Sequence, residues 1–385
     1  MKSKLICNLP SIKEKKKQRN FGIDFARILS MLFIINHHII YHGGPLFKSN
    51  ILSGKNNFLL FLNVIFCSGV NTFGMISGYV GFNTHKYSNL IYLLFQTAFY
   101  NYGIALYFKK TKPNIVKDLN HFLYPLFISD YWYFNEYFIL YFFLPLLNAG
   151  IKNLSKREMG TFNLTIFFLF SCFNQISHYL TRLRKDFFHI FNGSTYMWLI
   201  ILYLFGSYFG RFNNISYYSK FFNYLICFTI INLLAFLRCR IIIYKEEHKS
   251  NVDLMRVEYS SPSSVLISLC LIILNCKLDI QNKYLQKIIQ LFSTLTFGVY
   301  LIHNHVLVRN NIIRNNYAWL LEYFSFKLLI IVIFQSIKIF ILCSFIDYLR
   351  FLLFKLFKIR QICNFISYLF HKINNIIIHL FEFIY

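Results

Sequence analysis

Long apolar stretches broken by short polar ones set the pattern of this chain. Ten runs could each serve as a membrane-crossing helix, near residues 23–42, 58–82, 90–108, 131–148, 162–179, 196–210, 221–237, 263–276, 290–308 and 326–349. About 20 helical residues cross a hydrocarbon layer. The sixth, seventh and eighth runs are short and borrow flanking residues whose long side chains reach back toward water. No alternation of period two persists anywhere, so each run is predicted as a helix rather than a strand. Asn, Ser and Tyr inside several runs should face other helices or a cavity, because lipid offers them no partner. The expected fold is all-α: a polytopic transmembrane bundle of about ten helices, with no separate soluble domain. A basic N-terminal segment (1–22) precedes it and the bundle occupies 23–358. The tail 359–385 reads as an amphipathic or interfacial helix, with His371, Lys372, Asn374 and Asn375 interrupting apolar residues. An eleventh crossing is the alternative for that tail.

Composition agrees. Hydrophobic residues make up 56% of the 385 and charged residues 14%, against about 25% charged in ordinary soluble proteins. That excludes a soluble globule and a disordered chain alike. The net charge of +25 would direct a soluble chain to nucleic acid. Here the basic residues lie mostly between apolar runs, which fits membrane lipids as partners and no nucleic acid. Ten crossings put both termini on one side. Placing them inside gives 21 Lys or Arg in the inner segments against 16 in the outer loops, with Arg27, Lys327 and Lys338 inside runs. The cluster Lys13, Lys15, Lys16, Lys17 and Arg19 directly before the first run points the same way. The stretch 238–262, with Lys245, Glu246, Glu247, His248 and Lys249, is then an external loop. Cys67, Cys172, Cys270 and Cys343 sit inside apolar runs and read as small core residues. No cleavage signal follows the Lys-rich start, so the first run is expected to be a membrane helix rather than a signal peptide.

The first run carries the strongest chemical signal. Arg27 and His38 are eleven residues apart, about 20° from whole turns, and so share one helix face about 16 Å apart along the axis. Asp24 and His42 fall near the same stripe, while His37 points elsewhere. An ionisable stripe in a membrane helix must face a cavity or partners. Snorkelling accounts for Arg27 and Asp24 near the inner boundary, but less well for the deeper His38. An imidazole is suited to take a proton from a sugar hydroxyl, and an arginine to hold phosphate or carboxylate. Two further places fall at the depth of His38. One is His303 with Asn304 and His305, at the end of the ninth run. The other is Trp132, Asn135 and Glu136, at the start of the fourth. The Tyr131-Trp132-Tyr133 group reads equally as an interfacial aromatic belt. The small residues Ser68, Gly69, Asn71, Gly74, Ser77, Gly78 and Gly81 of the second run read as close helix packing. No phosphate loop is present, His85, His121, His178 and His189 are lone histidines in or near loops, and no trio of ligands has metal-site spacing.

Taken together, these segments resemble the acyltransferase family 3 of integral membrane proteins. Arg27, ten residues and His38 match its first-helix motif. Ile76-Ser77-Gly78-Tyr79 looks like its glycine-rich second helix. Tyr131 to Tyr133 with Tyr137, Leu140, Tyr141, Pro145, Leu147 and Asn148 look like its fourth-helix block. Ser207, Tyr208 and Gly210 fit the sixth helix, Ser293 to Asn304 the late Tyr-Leu-Ile-His block, and Ile346 to Arg350 the last helix. The resemblance covers about 19–358. It departs from the family at the start of the third helix, where His85 and Lys86 stand in place of an Arg-x-x-Arg cluster. What it implies is acyl transfer, with acyl-CoA (acetyl-CoA above all) as a co-substrate and no tightly bound cofactor or metal. The acceptor would be a hydroxyl of a carbohydrate or lipid-linked glycan of the bacterial envelope, and the enzyme a multi-pass protein of the inner membrane. His38, His303 and Glu136 are then the candidate catalytic residues, Arg27 and Lys86 the donor-binding ones, and Trp132, Asn135 and Asn304 the acceptor-binding ones. Competing readings are a transporter or flippase for a glycolipid or small anion, which would show paired inverted halves, and a non-catalytic scaffold in which the polar stripe is helix glue.

Overall fold

A computed structural model of the chain describes residues 19–384 apart from 52, 83–84, 117–118, 120–121, 123–130, 177–187, 213–224, 227, 235, 238–239 and 241–257. Lys13 to Lys17, the loop residues Lys245 to Lys249, His121 and His178 lie outside the described residues, as do 221–224, 227 and 235 of the run at 221–237, whose other residues are helical. Ten long helices are described: α1 (Phe21–Tyr41), α2 (Gly54–Gly81), α3 (Tyr87–Thr111), α4 (Trp132–Asn153), α5 (Lys156–Phe167), α6 (Tyr196–Phe212), α7 (Pro262–Cys276), α8 (Lys283–His303), α9 (Ser325–Leu356) and α10 (Ile359–Ile384). No strand occurs among the described residues.

Local sequence explains the boundaries. Asn20, Ser53, Ser261 and Asn282 each cap a helix N-terminus with a side-chain oxygen, and Pro262 occupies the first turn of α7. Ser155 and Glu158 form a reciprocal capping box at the start of α5. A π-helical turn, Phe168–Phe173, continues α5. Nine of the ten expected runs coincide with these helices. Among the described residues, six helical stretches are long and apolar enough to cross a membrane: Phe21–Lys48, Gly54–Gly81, Trp132–Asn153, Lys156–Ile176, Lys283–His303 and Ser325–Leu356. The other three are α6 and α7, which are short, and α3, whose apolar surface is interrupted by the buried Ser88, Gln96, Thr97 and Asn101. The tail is one continuous helix, α10, which docks on α3: Arg360 Nη2 donates to Asn89 Oδ1 at 2.5 Å and His371 lies against Tyr87.

Helix α2 is the axis of the bundle, packed by α1, α6 and α7. Its small residues bring backbones into contact. A Cβ at Gly78 would stand 1.9 Å from the carbonyl oxygen of Tyr203 on α6, and one at Gly206 would stand 1.8 Å from that of Met75. Close packing, expected for this run, is what these positions show. Helices α1 and α8 lie parallel although about 260 residues separate them in the chain. Near their N-termini, Arg27 Nη1 donates to Ser293 Oγ at 3.1 Å, and Ser293 Oγ donates to Asp24 Oδ1 at 3.0 Å. Toward their C-termini the rings of His38 and His303 approach to 5.2 Å. Helix α9 closes the other side of α8. There Asp347, fully buried, accepts Arg350 Nε at 3.0 Å, Arg350 Nη2 at 2.9 Å, Tyr100 OH at 2.8 Å and Gln96 Nε2 at 3.1 Å. The ion pair is thus bidentate and its remaining acceptor capacity is filled from α3, the condition under which a buried pair can be tolerated.

Candidate active site

His38 lies one turn from the end of α1, with its ring packed against those of His303 (centroids 5.2 Å apart) and His42 (5.1 Å). It borders a narrow cavity of about 30 Å³, enough for one or two water molecules. Trp132 and Tyr133 from α4, Phe297, Tyr300 and Asn304 from α8 and its C-cap, and Tyr259 before α7 form its aromatic and polar walls. Trp132 stacks on Tyr259 at 5.6 Å with 22° between the planes. Two histidines in this neighbourhood have their tautomers set by the backbone. His303 Nδ1 lies 2.6 Å from the carbonyl oxygen of Val299. A carbonyl can only accept, so Nδ1 carries the proton and Nε2 is left as an acceptor, buried and without a hydrogen-bond partner. His305 is the reverse: Nε2 donates to the carbonyl of Asn101 at 3.3 Å and Nδ1 accepts from the N–H of Leu307 at 3.2 Å. His38 differs from both. Its Nδ1 is buried and has no hydrogen-bond partner. The neighbouring His37 is turned away, bonded at 2.7 Å to Asn63 Oδ1 and stacked on Tyr41.

The expected site residues divide into those that meet here and those that do not. His38, Trp132 and Asn304 border the cavity, and His303 backs onto His38. Asn304 Oδ1 also accepts from Arg309 Nη1 at 3.3 Å. Arg27 is on the same face of α1 but about 16 Å away along the axis, tied to Asp24 and Ser293. Glu136 was expected at the depth of His38. Its Oε2 accepts the backbone N–H of Tyr196 at 2.7 Å, at the start of α6. It is no part of the cavity wall, and neither is Asn135 on the same turn. Lys86 is exposed at the N-cap of α3, at the Arg27 end of the bundle, with its backbone N–H and C=O both bonded to Tyr141 OH. Beside it, burial lowers the pKa of His85, whose Nε2 faces the Tyr141 carbonyl.

The family model of acyltransferase family 3, described as an acyltransferase domain, matches residues 20–354. The chain belongs to that family. No curated protein and no solved structure matched it. This acyltransferase is therefore a multi-pass membrane protein that transfers acyl groups to a hydroxyl acceptor. The matched span begins at the N-cap of α1 and stops within the last turn of α9, so α10 lies beyond it.

Several residues of the acyltransferase cavity were given no site role from sequence. Tyr300 is three residues before His303, a spacing that places both on one side of α8. Phe297, Tyr300 and Asn304 follow the same i, i+3, i+7 rule, a signal present in the sequence. Tyr133, Tyr137 and Tyr141 recur every four residues on α4 and form a file of rings at 6.4 and 6.2 Å. That file runs from the cavity to His85 and Lys86. Tyr259 carried no such signal, because its stretch reads as an external loop.

Proposed function

We propose that the acceptor is a hydroxyl of an envelope polysaccharide or lipid-linked glycan, that the donor is acetyl-CoA, and that His38 is the general base. The observation that carries this reading is His38 itself, buried in a membrane helix with an unpartnered ring nitrogen beside an aromatic-walled cavity. Attack of a hydroxyl on a thioester needs a base at the hydroxyl and donors at the developing oxyanion. A neutral imidazole supplies the first. His303, with Nε2 presented as an acceptor, supports the charge that forms on His38. The narrowness of the cavity favours an acetyl group over a longer acyl chain. Trp132 and Tyr259 give flat apolar faces of the kind that pack against a sugar ring.

Arg27, with Lys86 at the same end of the bundle, serves the anionic part of the donor. That end carries the termini of the bundle and faces the cytoplasm, where acyl-CoA is made, and the His38 end faces outward. This reading goes with an even number of crossings, ten by the apolar runs, of a bacterial inner membrane, with α10 lying in the inner interface.

The direct test is mass spectrometry of surface glycans from cells with the gene deleted and then restored. Ester-linked acetyl groups should disappear and return. Unchanged glycans together with no acetyl-CoA turnover by the purified protein would reject the proposal.

A further inference from the structure

We infer that Tyr300 and Tyr133 are catalytic residues whose hydroxyls stabilise the oxyanion of the acyl-transfer step; the inference rests on the reading of His38 as the base. Both tyrosines border the His38 cavity, one from α8 and one from α4, with rings 6.1 Å apart and 69° between their planes. Each hydroxyl is fully buried and makes no hydrogen bond. Ser77 stands near the Tyr133 hydroxyl, and Asn304 and the backbone N–H groups of Tyr133 and Phe134 near that of Tyr300, but none reaches bonding geometry. The two side chains have other partners: Ser77 Oγ donates to the carbonyl of Phe73, and Asn304 Oδ1 accepts from Arg309. Burying a hydroxyl without a partner works against folding, and two such tyrosines bordering one small space beside an unpartnered histidine mark a site to which a ligand oxygen can be matched. The oxygen that fits is an anionic one. A phenol is a stronger donor than an aliphatic hydroxyl, and two phenols at a dry site cost no reorganisation when charge develops.

The acceptor hydroxyl oxygen bonds to the thioester carbonyl carbon, its proton passes to the free nitrogen of His38, and the carbonyl π electrons move onto oxygen. Tyr300 OH and Tyr133 OH donate to that oxygen. The C=O bond then reforms, the C–S bond breaks, and the thiolate takes the proton back from His38. Tyrosine hydroxyls, unlike lysine or arginine, leave the cavity uncharged before the reaction, which suits its apolar walls.

Phenylalanine at either position removes the hydroxyl and keeps the ring, so it separates chemistry from packing. Purified wild type, Tyr300→Phe, Tyr133→Phe, the double variant and His38→Gln would be compared for thiol release from acetyl-CoA and, in cells, for ester-linked acetyl on surface glycan. Each single variant should lower kcat about 100-fold, with KM changed less than about twofold, because the hydroxyls bind the transition state rather than the substrate. Melting temperatures should be unchanged or higher, since an unsatisfied buried group has been removed. A merely structural hydroxyl would move the other way, lowering the melting temperature and leaving kcat per folded molecule intact. Wild-type kcat in the double variant while His38→Gln is inactive would overturn this inference alone. Full activity in His38→Gln would overturn the underlying assignment, and this inference with it.

Discussion

Replacing His38 by glutamine keeps size and hydrogen-bonding capacity but removes the basic nitrogen, so activity should fall about 10²–10⁴-fold at unchanged membrane insertion. The check is acetyl transfer by purified protein at matched amount. His37 gives the control. It is buried, bonded to Asn63 and stacked on Tyr41, so His37→Ala should lower stability by about 1–3 kcal/mol through an unsatisfied Asn63. Turnover per folded molecule should persist. Equal loss in both variants would return this helix end to a structural role. Arg27→Lys tests the other end of the same stripe. One guanidinium nitrogen, Nη1, donates to both Asp24 and Ser293, and the planar group carries further N–H donors in a fixed fork for an anionic donor, which an ammonium cannot reproduce. KM for acetyl-CoA should rise by about tenfold, or roughly 1.4 kcal/mol, with a smaller effect on kcat. The alignment of Arg27, His38 and His42 was legible in the sequence because helical spacing alone sets it. The environment of Glu136 was not. Depth along a helix says nothing about which neighbour a side chain meets, and the N-terminus of α6 reached it first.

At the scale of helices, the packing of α8 on α9 depends on one glycine. A Cβ at Gly298 would stand 2.0 Å from the Asp347 carboxylate carbon, which cannot retreat because Arg350, Tyr100 and Gln96 hold it. Gly298→Ala should therefore abolish accumulation of folded protein. Gly103→Ala on α3, with nothing within 4 Å, should be tolerated; size-exclusion profiles of detergent extracts would show the contrast. Asp347→Asn should cost about 3–5 kcal/mol, because it leaves Arg350 charged in a dry interior. Helix positions were legible from the apolar runs, while capping residues such as Ser53, Ser155 and Ser261 fix their starts in the structure. The partnership of α1 with α8 was not, since nothing local in either run names a helix about 260 residues away. The polar residues of α3 illustrate the same limit. Gln96 and Tyr100 interrupt an apolar run, and only Asp347 on α9 accounts for both.

For the whole molecule, the sidedness proposed above makes a definite forecast. Single cysteines at Lys156 and at the C-terminus should be shielded from impermeant thiol reagents in intact cells, and one at Asn50 should react; an externally labelled C-terminus would reverse the arrangement. Helix α10 adds a consequence in the dimension of time. It lies past the family-matched span, yet it holds Asn89 through Arg360 and Tyr87 through His371, at the first turn of α3. During synthesis, α1 to α9 leave the ribosome before it. A nascent chain arrested soon after residue 358 would thus hold every cavity residue, but the end of the bundle assigned to the donor would still lack its clamp. Maturation of this enzyme would then have a last step that happens at the membrane surface, after the helices of the bundle have been made.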